Sequence, residues 1–390
     1  MIKRILDDIA EKYATKYDRI ALLHLFNPSQ EIALADNSEF FTPKALVRKM
    51  ESDLDDFPQF YADESDAILL HDNSIVNVKG EIIHRDDINE FIPFPWGWNK
   101  AVKKRFLKLG ISETLMPTNR ELDTLRVFAG RQFCVEYIRD YLSLFEEKDY
   151  KDALVGHNMR FLNTTESLSE VNNPGPLIFK QLWSSSGRGN FVADSIDDKL
   201  IEKLNGFCKN QGGFISDCFY NKTLDFAMEF YVFSNGDVEF MGYSVFSTEK
   251  NGKYQGNLLK DQVELEQIIL DSMDKSINLG DLKNAHLQML KHHLAGKYTG
   301  FVGIDMMAVD MNGKRKCHPC VEINLRMNMG IVAMEVYRRR LRDGSGSGTG
   351  SGALDDGAWR ISSNRSPEDD IRERGFHTFL KSCFISIRYS

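Results

Sequence analysis

No stretch of this chain approaches the roughly 18 uninterrupted apolar residues that a membrane-spanning helix needs. The opening MIKRILDDIAEKYATKY lacks the apolar run of a secretory leader and reads as an amphipathic helix. Cysteine is sparse, with six in 390 residues, at 134, 208, 218, 317, 320 and 383. That is no disulfide framework for a chain this long, and a reducing, cytoplasmic setting is expected. A basic surplus is missing as well. The net charge is −8, which excludes a protein whose main work is to grip nucleic-acid phosphate, while a local basic pocket is still allowed. Cys317-His318-Pro319-Cys320 stands without a second pair at metal-site spacing and runs into the strand-like VEINL, so a structural role is expected for it.

What is present is ordinary for a globular protein: 42% hydrophobic and 27% charged residues, in a chain long enough for two or three domains. RIALLHLFNP (19–28) and SDAILLHD (65–72) read as strands, and IVNVKGEII (75–83) as a hairpin about Lys79-Gly80. FIPFPWGWN leads into a helix starting at Asn99. Residues 1–115 are therefore expected to form an α/β domain with a largely parallel sheet. Met116-Pro117-Thr118-Asn119 breaks the chain and caps helices that follow to about Lys148. Strands dominate 176–247, two helices fill 261–297, a hairpin occupies 300–325, and a last helix runs from about Gly330 to Arg342. GSGSGTGSG (344–352) has no side chains with which to build a core and reads as a flexible linker spanning 343–352. The tail 353–390, native or appended, shows no periodicity and is left out of the fold expectation. Glu368, Asp369, Asp370 and Lys381 would let it serve as a substrate or regulatory peptide held in cis.

Two stretches carry chemistry. FKQLWSSSGRGN (179–190) places Lys180 on a strand directly before small residues and a guanidinium. In GFVGIDMMAVDMNGKRKCHPCVEINLRMNMG (300–330), Asn312-Gly313 signals a two-residue turn, since a type I′ turn needs positive φ at both positions. Pairing Met311 with Lys314 then sets Asp305 opposite Cys320 and points Asp305, Glu322 and Asn324 to one face. Ile304, Met306, Val321 and Ile323 would take the other, apolar face. Two carboxylates and an amide oxygen are hard ligands suited to Mg²⁺, and a solvated strand face is the alternative.

A lysine on a strand before a Ser/Gly-rich loop, followed over a hundred residues later by Asp and then Glu-x-Asn-x-Arg, resembles the ATP-grasp superfamily across about 116–342. The resemblance implies an ATP-grasp fold of α/β class with α+β character, its nucleotide held between two α+β subdomains, preceded by the N-terminal α/β domain. It implies ATP and Mg²⁺ as cofactors. Lys180 matches the lysine that reaches the phosphates, and Ser184, Ser185, Ser186, Gly187, Arg188 and Gly189 match the loop that closes over them. This is not a P-loop, because its lysine precedes the glycines. Arg131 stands near the position of a second phosphate-binding cation, with a helix-surface arginine as the alternative. Ser216, Asp217 and Cys218 match the hinge that meets adenine. Asp225 falls where an acid takes the ribose hydroxyls, or is a structural acid at a strand start. Asp305, Glu322 and Asn324 match the Mg²⁺ ligands, and Arg326 matches the arginine that steadies the transferring phosphoryl group. The chain departs from some relatives at Gly303, where they carry an arginine. Acceptor signatures of the superfamily are also missing, so no substrate identity carries over. The implied activity is joining a carboxylate to an amine, both small-molecule or peptide-like, through an acyl phosphate. Phosphotransfer to a small molecule, or nucleotide binding with little turnover, are the alternatives.

Overall fold

The computed structural model describes residues 2–13, 21–84, 88, 90–171, 175–184, 189–248, 254–344, 357–362 and 384–389. The first unit is built from α1 (Ile2–Lys12), β1 (Ala21–Leu25), α2 (Gln30–Asp36), α3 (Ala45–Asp53), β2 (Ala67–Leu69), β3 (Ile75–Asn77), β4 (Phe91–Pro95) and α4 (Lys100–Lys108). Its sheet runs β3-β2-β1-β4. β1 is parallel to both β2 and β4, and β3 is antiparallel. The expected hairpin turns where Gly80, at φ +85°, donates its N–H to Asn77 O at 3.0 Å. Asn99 caps α4 by accepting from Val102 N.

Thr118 and Glu121 form a capping box that starts α5 (Asn119–Phe128), and α6 (Arg131–Ser143) follows. A second sheet, ordered β5-β8-β6-β7, contains β5 (Arg160–Leu162), β6 (Leu177–Gln181), β7 (Phe191–Ala193) and β8 (Phe214–Cys218). Between β7 and β8 lies α7 (Asp198–Gln211), a helix not named in the region where the sequence reading expects strands to dominate. Its signals are complete: Asp197 caps the start, Gly212 ends it in the left-handed region, and Leu200, Leu204 and Phe207 fall on one buried face.

The third sheet is the largest. β9 (Asn221–Val232), β10 (Val238–Thr248) and β11 (Tyr254–Leu259) are followed by α8 (Gln262–Ser272), α9 (Leu279–Leu294), β12 (Gly300–Met311), β13 (Lys314–Asn324) and α10 (Met329–Gly344). The tail, left out of the fold expectation, contributes β14 (Gly357–Ser362) and β15 (Phe384–Tyr389), giving the order β13-β12-β9-β10-β11-β14-β15. β14 pairs antiparallel with β11, whose edge it covers.

Alternation along β9 divides the faces of this sheet. Phe226, Met228, Phe230 and Val232 bury against α6, α8 and α9, in a core with Val302, Ile304 and Met306 of β12. The opposite face carries Asp225, Ala227, Glu229 and Tyr231. At its Tyr231 end it packs with α10 and the first unit through Trp96, Met327 and Ile331. The whole is the α+β arrangement, preceded by an α/β unit, that the ATP-grasp resemblance implies. Among the described residues, no helix is long and apolar enough to cross a membrane.

Candidate active site

The hairpin turns as its sequence says. Met311 pairs with Lys314, and Asn312 and Gly313 sit at φ +58° and +78°. Pairing holds back to Met307 opposite His318 and then slips, so Asp305 faces Glu322 rather than Cys320. The cause is Pro319, which has no N–H for the ladder and is tolerated here because β13 is an edge strand with an irregularity at that point. The slip is two residues, so the faces survive it and the two carboxylates come to lie directly across from one another. The apolar face changes in one place. Cys320 enters the core at 0% exposure, while Val321, expected there, stays half-buried.

Lys180 sits on β6, opposite Ile215 of β8, and is 6% exposed. Its charge acts on the Cys320 thiol, which burial otherwise pushes far up. Arg131 makes the connection explicit. It is the first residue of α6, its backbone N–H donates to Leu182 O at 3.0 Å, and it is buried, not on the helix surface. One terminal nitrogen donates to Gln181 O at 2.7 Å and to Ser184 Oγ at 2.6 Å. The other donates to Ser184 O at 3.2 Å and to Glu322 Oε1 at 2.7 Å. One guanidinium thus spans from the loop that follows Lys180 to the acidic hairpin, 191 residues away in sequence.

Arg326 closes the far side. It pairs with Glu31 of α2, donates to Met327 O at 3.1 Å and donates to Asn324 Oδ1 at 3.0 Å. Burial lowers its pKa, but Glu31, Glu322 and Asp305 outweigh this and raise it. Burial pushes the Asp305 carboxyl well above the usual carboxylate range, with Glu322 and Glu229 adding to the push. Two acids held face to face, with more negative charge than the local arginines offset, suit a hard divalent cation. Among the described residues no group of three or more His, Cys, Asp or Glu is placed to hold a metal. The set of Asp305, Glu322 and the Asn324 amide fits Mg²⁺, whose shell water and phosphate oxygens complete.

The hinge candidates lie on β8. Ser216 is fully buried, and its Oγ has no hydrogen-bond partner. Asp217 is engaged by His318 Nε2 at 3.2 Å and by the Cys218 backbone N–H at 2.8 Å, so its carboxylate faces protein and only backbone remains for a base. Cys218 Sγ accepts from Asn158 Nδ2 at 3.3 Å. Asp225 is held by Lys222 and by Thr248 Oγ1 at 2.8 Å. Gly189, the last residue of the loop, lies at φ +81°, while Ser185, Ser186, Gly187 and Arg188 fall outside the described residues.

Sequence reasoning missed Glu229, the carboxylate inside the apolar run AMEFYV. It is 1% exposed and accepts from Asn328 Nδ2 at 2.6 Å and Ser244 Oγ at 2.9 Å. A Cβ on Gly303 would collide with Asn328 Nδ2 and lie 2.8 Å from Glu229 Oε2. That explains why no arginine occupies position 303. Burial pushes the Glu229 carboxyl up to about 7 from its usual 4.5, against the pull of its two hydrogen bonds. A carboxyl raised on folding stabilises the fold below its unfolded pKa and loses that contribution as pH climbs from about 4.5 to about 7. Glu229→Gln keeps the shape, and its amide nitrogen can donate to Ser244. In the metal-free protein it is expected to be more stable than wild type by roughly 3 kcal/mol at pH 8 and equal to it at pH 4. Urea melts at the two pH values test this, and a variant less stable than wild type at pH 8 would contradict it.

No protein-family model matches the chain, and no curated protein matches it. Solved structures resemble it in shape. N5-carboxyaminoimidazole synthetase from Staphylococcus aureus complexed with ADP is 10% identical, at a TM-score of 0.47 over 96% of this chain and 95% of that one. N5-carboxyaminoimidazole ribonucleotide synthetase from Thermus thermophilus is 13% identical, with a TM-score of 0.46 over 95% and 94%. Biotin carboxylase from Campylobacter jejuni, solved as a β-γ-ATP complex, is 14% identical, with a TM-score of 0.45 over 72% of this chain and 61% of its own. None of these scores reaches one half.

Proposed function

We propose that the protein is an ATP- and Mg²⁺-dependent ligase that joins a carboxylate to an amine through an acyl phosphate. The observation that carries the reading is the Arg131 side chain. It bonds Ser184 beyond the Lys180 strand and Glu322 opposite Asp305, which supports a site that the cations and the acids would share. Residues 116–342 would form the nucleotide-binding domain, with the backbone of Ser216–Cys218 against adenine and Asp225 or its partner Lys222 near the ribose. Lys180 and the Ser184–Gly189 loop would hold the phosphates. Asp305, Glu322 and Asn324 would hold Mg²⁺, which neutralises charge on the β- and γ-phosphates when bound.

In the first step a carboxylate oxygen attacks the γ-phosphorus and the bond to the β-phosphate oxygen breaks, releasing ADP. Lys180 and Arg326 offset charge on the moving phosphoryl group. In the second, the amine attacks the acyl carbon, phosphate leaves with the carboxylate oxygen, and the amine's proton passes to phosphate or water. Placement and charge do most of the work, which agrees with the site's scarcity of nucleophiles.

The test is ADP release across a panel of amino acids, peptides and simple carboxylates, with ¹⁸O in the carboxylate. Ligation moves the label into inorganic phosphate. A stable phosphorylated product would replace ligation with phosphotransfer, and tight ATP binding with no ADP formed from any pair would leave a binding protein.

A further inference from the structure

At the carboxyl ends of β1 and β2 the first unit opens into a recess of about 600 Å³ that the proposed chemistry does not use. Small-molecule sites span roughly 300–1,000 Å³. β1 is parallel to its neighbours β2 and β4. The chain leaves β1 for β2 on one side of it and returns to β4 on the other. Open α/β sheets take ligands at such a reversal, because the connections part there and leave a crevice beyond the strand ends. The segment from Ser29 to Glu51 lines one part of the recess and α4 another. None of Lys180, Arg131, Asp305, Glu322 or Arg326 lines it.

The lining holds cations that the protein itself does not match. Arg105 donates from Nε to Asn73 Oδ1 at 3.0 Å, and from Nη2 to Leu70 O at 2.6 Å and His71 O at 3.3 Å. Its Nη1 N–H groups have no acceptor among the described residues. Lys108, three residues on along α4, makes no ion pair among them either. Lys104 is already taken, by Glu39 at 3.4 Å and by the Phe40 ring, whose centroid is 3.2 Å from the ammonium. Phe40 is still 72% exposed, so its other face is open. Glu51 Oε1 accepts from Ser29 N at 3.2 Å and Ser29 Oγ at 2.6 Å, which leaves Oε2 as the one uncommitted carboxylate oxygen of the lining. Asp55 and Asp72 lie outside the lining and accept from His71 N and Ser74 N.

We propose that this recess binds a nucleoside monophosphate. The phosphate meets Arg105 Nη1 and the Lys108 ammonium, the base lies on the open face of Phe40, and a ribose hydroxyl donates to Glu51 Oε2. Two uncommitted cations match the charge of about −1.5 to −2 on one phosphomonoester. A triphosphate would bring more charge and a metal ion with it, and a single uncommitted carboxylate is a poor seat for that ion. The site shares no residue with the nucleotide cleft proposed above, and it stands whether or not the protein ligates.

Titration calorimetry on protein saturated with a non-hydrolysable ATP analogue and Mg²⁺ tests it, using AMP, adenosine, ribose 5-phosphate and inorganic phosphate as probes. One analogue and then one AMP per chain are expected, with AMP at least about tenfold tighter than each of the other three. Lys108 and Phe40 are both exposed, so their replacement should leave the melting temperature unchanged. Lys108→Ala is expected to weaken AMP by about tenfold or more, and Phe40→Ala by about fivefold or more, with analogue binding unaltered. The proposal is overturned if AMP does not bind beside the analogue, or if two analogue molecules bind per chain. It is equally overturned if adenosine or ribose 5-phosphate binds as tightly as AMP, or if either variant binds AMP as wild type does. Should the analogue itself not bind, the ligase reading falls, and the AMP titrations of wild type and the two variants still decide the recess.

Discussion

Lys180→Met is expected to lower ADP formation by about a thousandfold while leaving the fold intact. The methionine keeps most of the unbranched stem that packs on β6 and removes only the charge. Lys180 is 6% exposed and makes no ion pair among the described residues. An ammonium taken that far out of water costs several kcal/mol unless an anion meets it. The Asp305–Glu322 pair belongs to a different sheet, and a Mg²⁺-bound triphosphate between the two would give the ammonium its anion and the carboxylates their cation. Because the buried charge is a cost in the free protein, its removal should hold or raise the melting temperature. Steady-state ADP release and a thermal melt together check this. Unchanged turnover would take Lys180 out of the site, and a collapsed melt would make it structural.

Glu322→Gln is expected to cut turnover by about a hundredfold and to raise the Mg²⁺ concentration needed for half-maximal rate. The substitution preserves volume, and the new amide oxygen can still accept from Arg131, so the bridge to Ser184 remains. What goes is one of the two facing charges. Glu322 is the largest electrostatic cause, after burial, of the raised Asp305 carboxyl, so its neutralisation lets Asp305 ionise more readily. The variant would then hold metal more weakly with Asp305 alone, and excess Mg²⁺ should restore part of the rate. An Mg²⁺ titration of ADP release reads both effects. Wild-type rate and wild-type Mg²⁺ dependence would remove the hairpin from metal binding.

Local chemistry makes parts of this site readable from sequence. Asn312-Gly313 announces its turn because few residues accept positive φ, and alternation then assigns Asp305, Glu322 and Asn324 to one face. The pairing within that face escapes the reading, since a ladder counted back from the turn takes no account of Pro319. The proline is visible in the sequence, and its missing N–H is sufficient reason to expect a slip. Its size, two residues rather than one, preserves the faces. A slip of one would have sent the acids into the core.

Arg131 is the opposite case. Nothing near it in sequence distinguishes a helix-surface arginine from one that crosses to Glu322. Only the tertiary placement of α6 against the exit of β6 decides it, through the bond from Arg131 N to Leu182 O. Glu229 leaves a fainter trace, a single acid in an apolar strand, and its role depends on Asn328 and Gly303 meeting it from distant segments. The pairing of β14 with β11 is beyond reach for the same reason. Strand addition at an edge depends on the edge, which the tail's own composition does not record.

The claim under all of this is that Lys180, Arg131 and the Asp305–Glu322–Asn324 face border one nucleotide. Its most direct test is a crystal grown with a non-hydrolysable ATP analogue and Mn²⁺, read by the anomalous signal of the metal. The account predicts Mn²⁺ between Asp305, Glu322 and Asn324, with the triphosphate running from it to the Lys180 ammonium. Manganese bound elsewhere, or a nucleotide that touches neither Lys180 nor the hairpin, would contradict it.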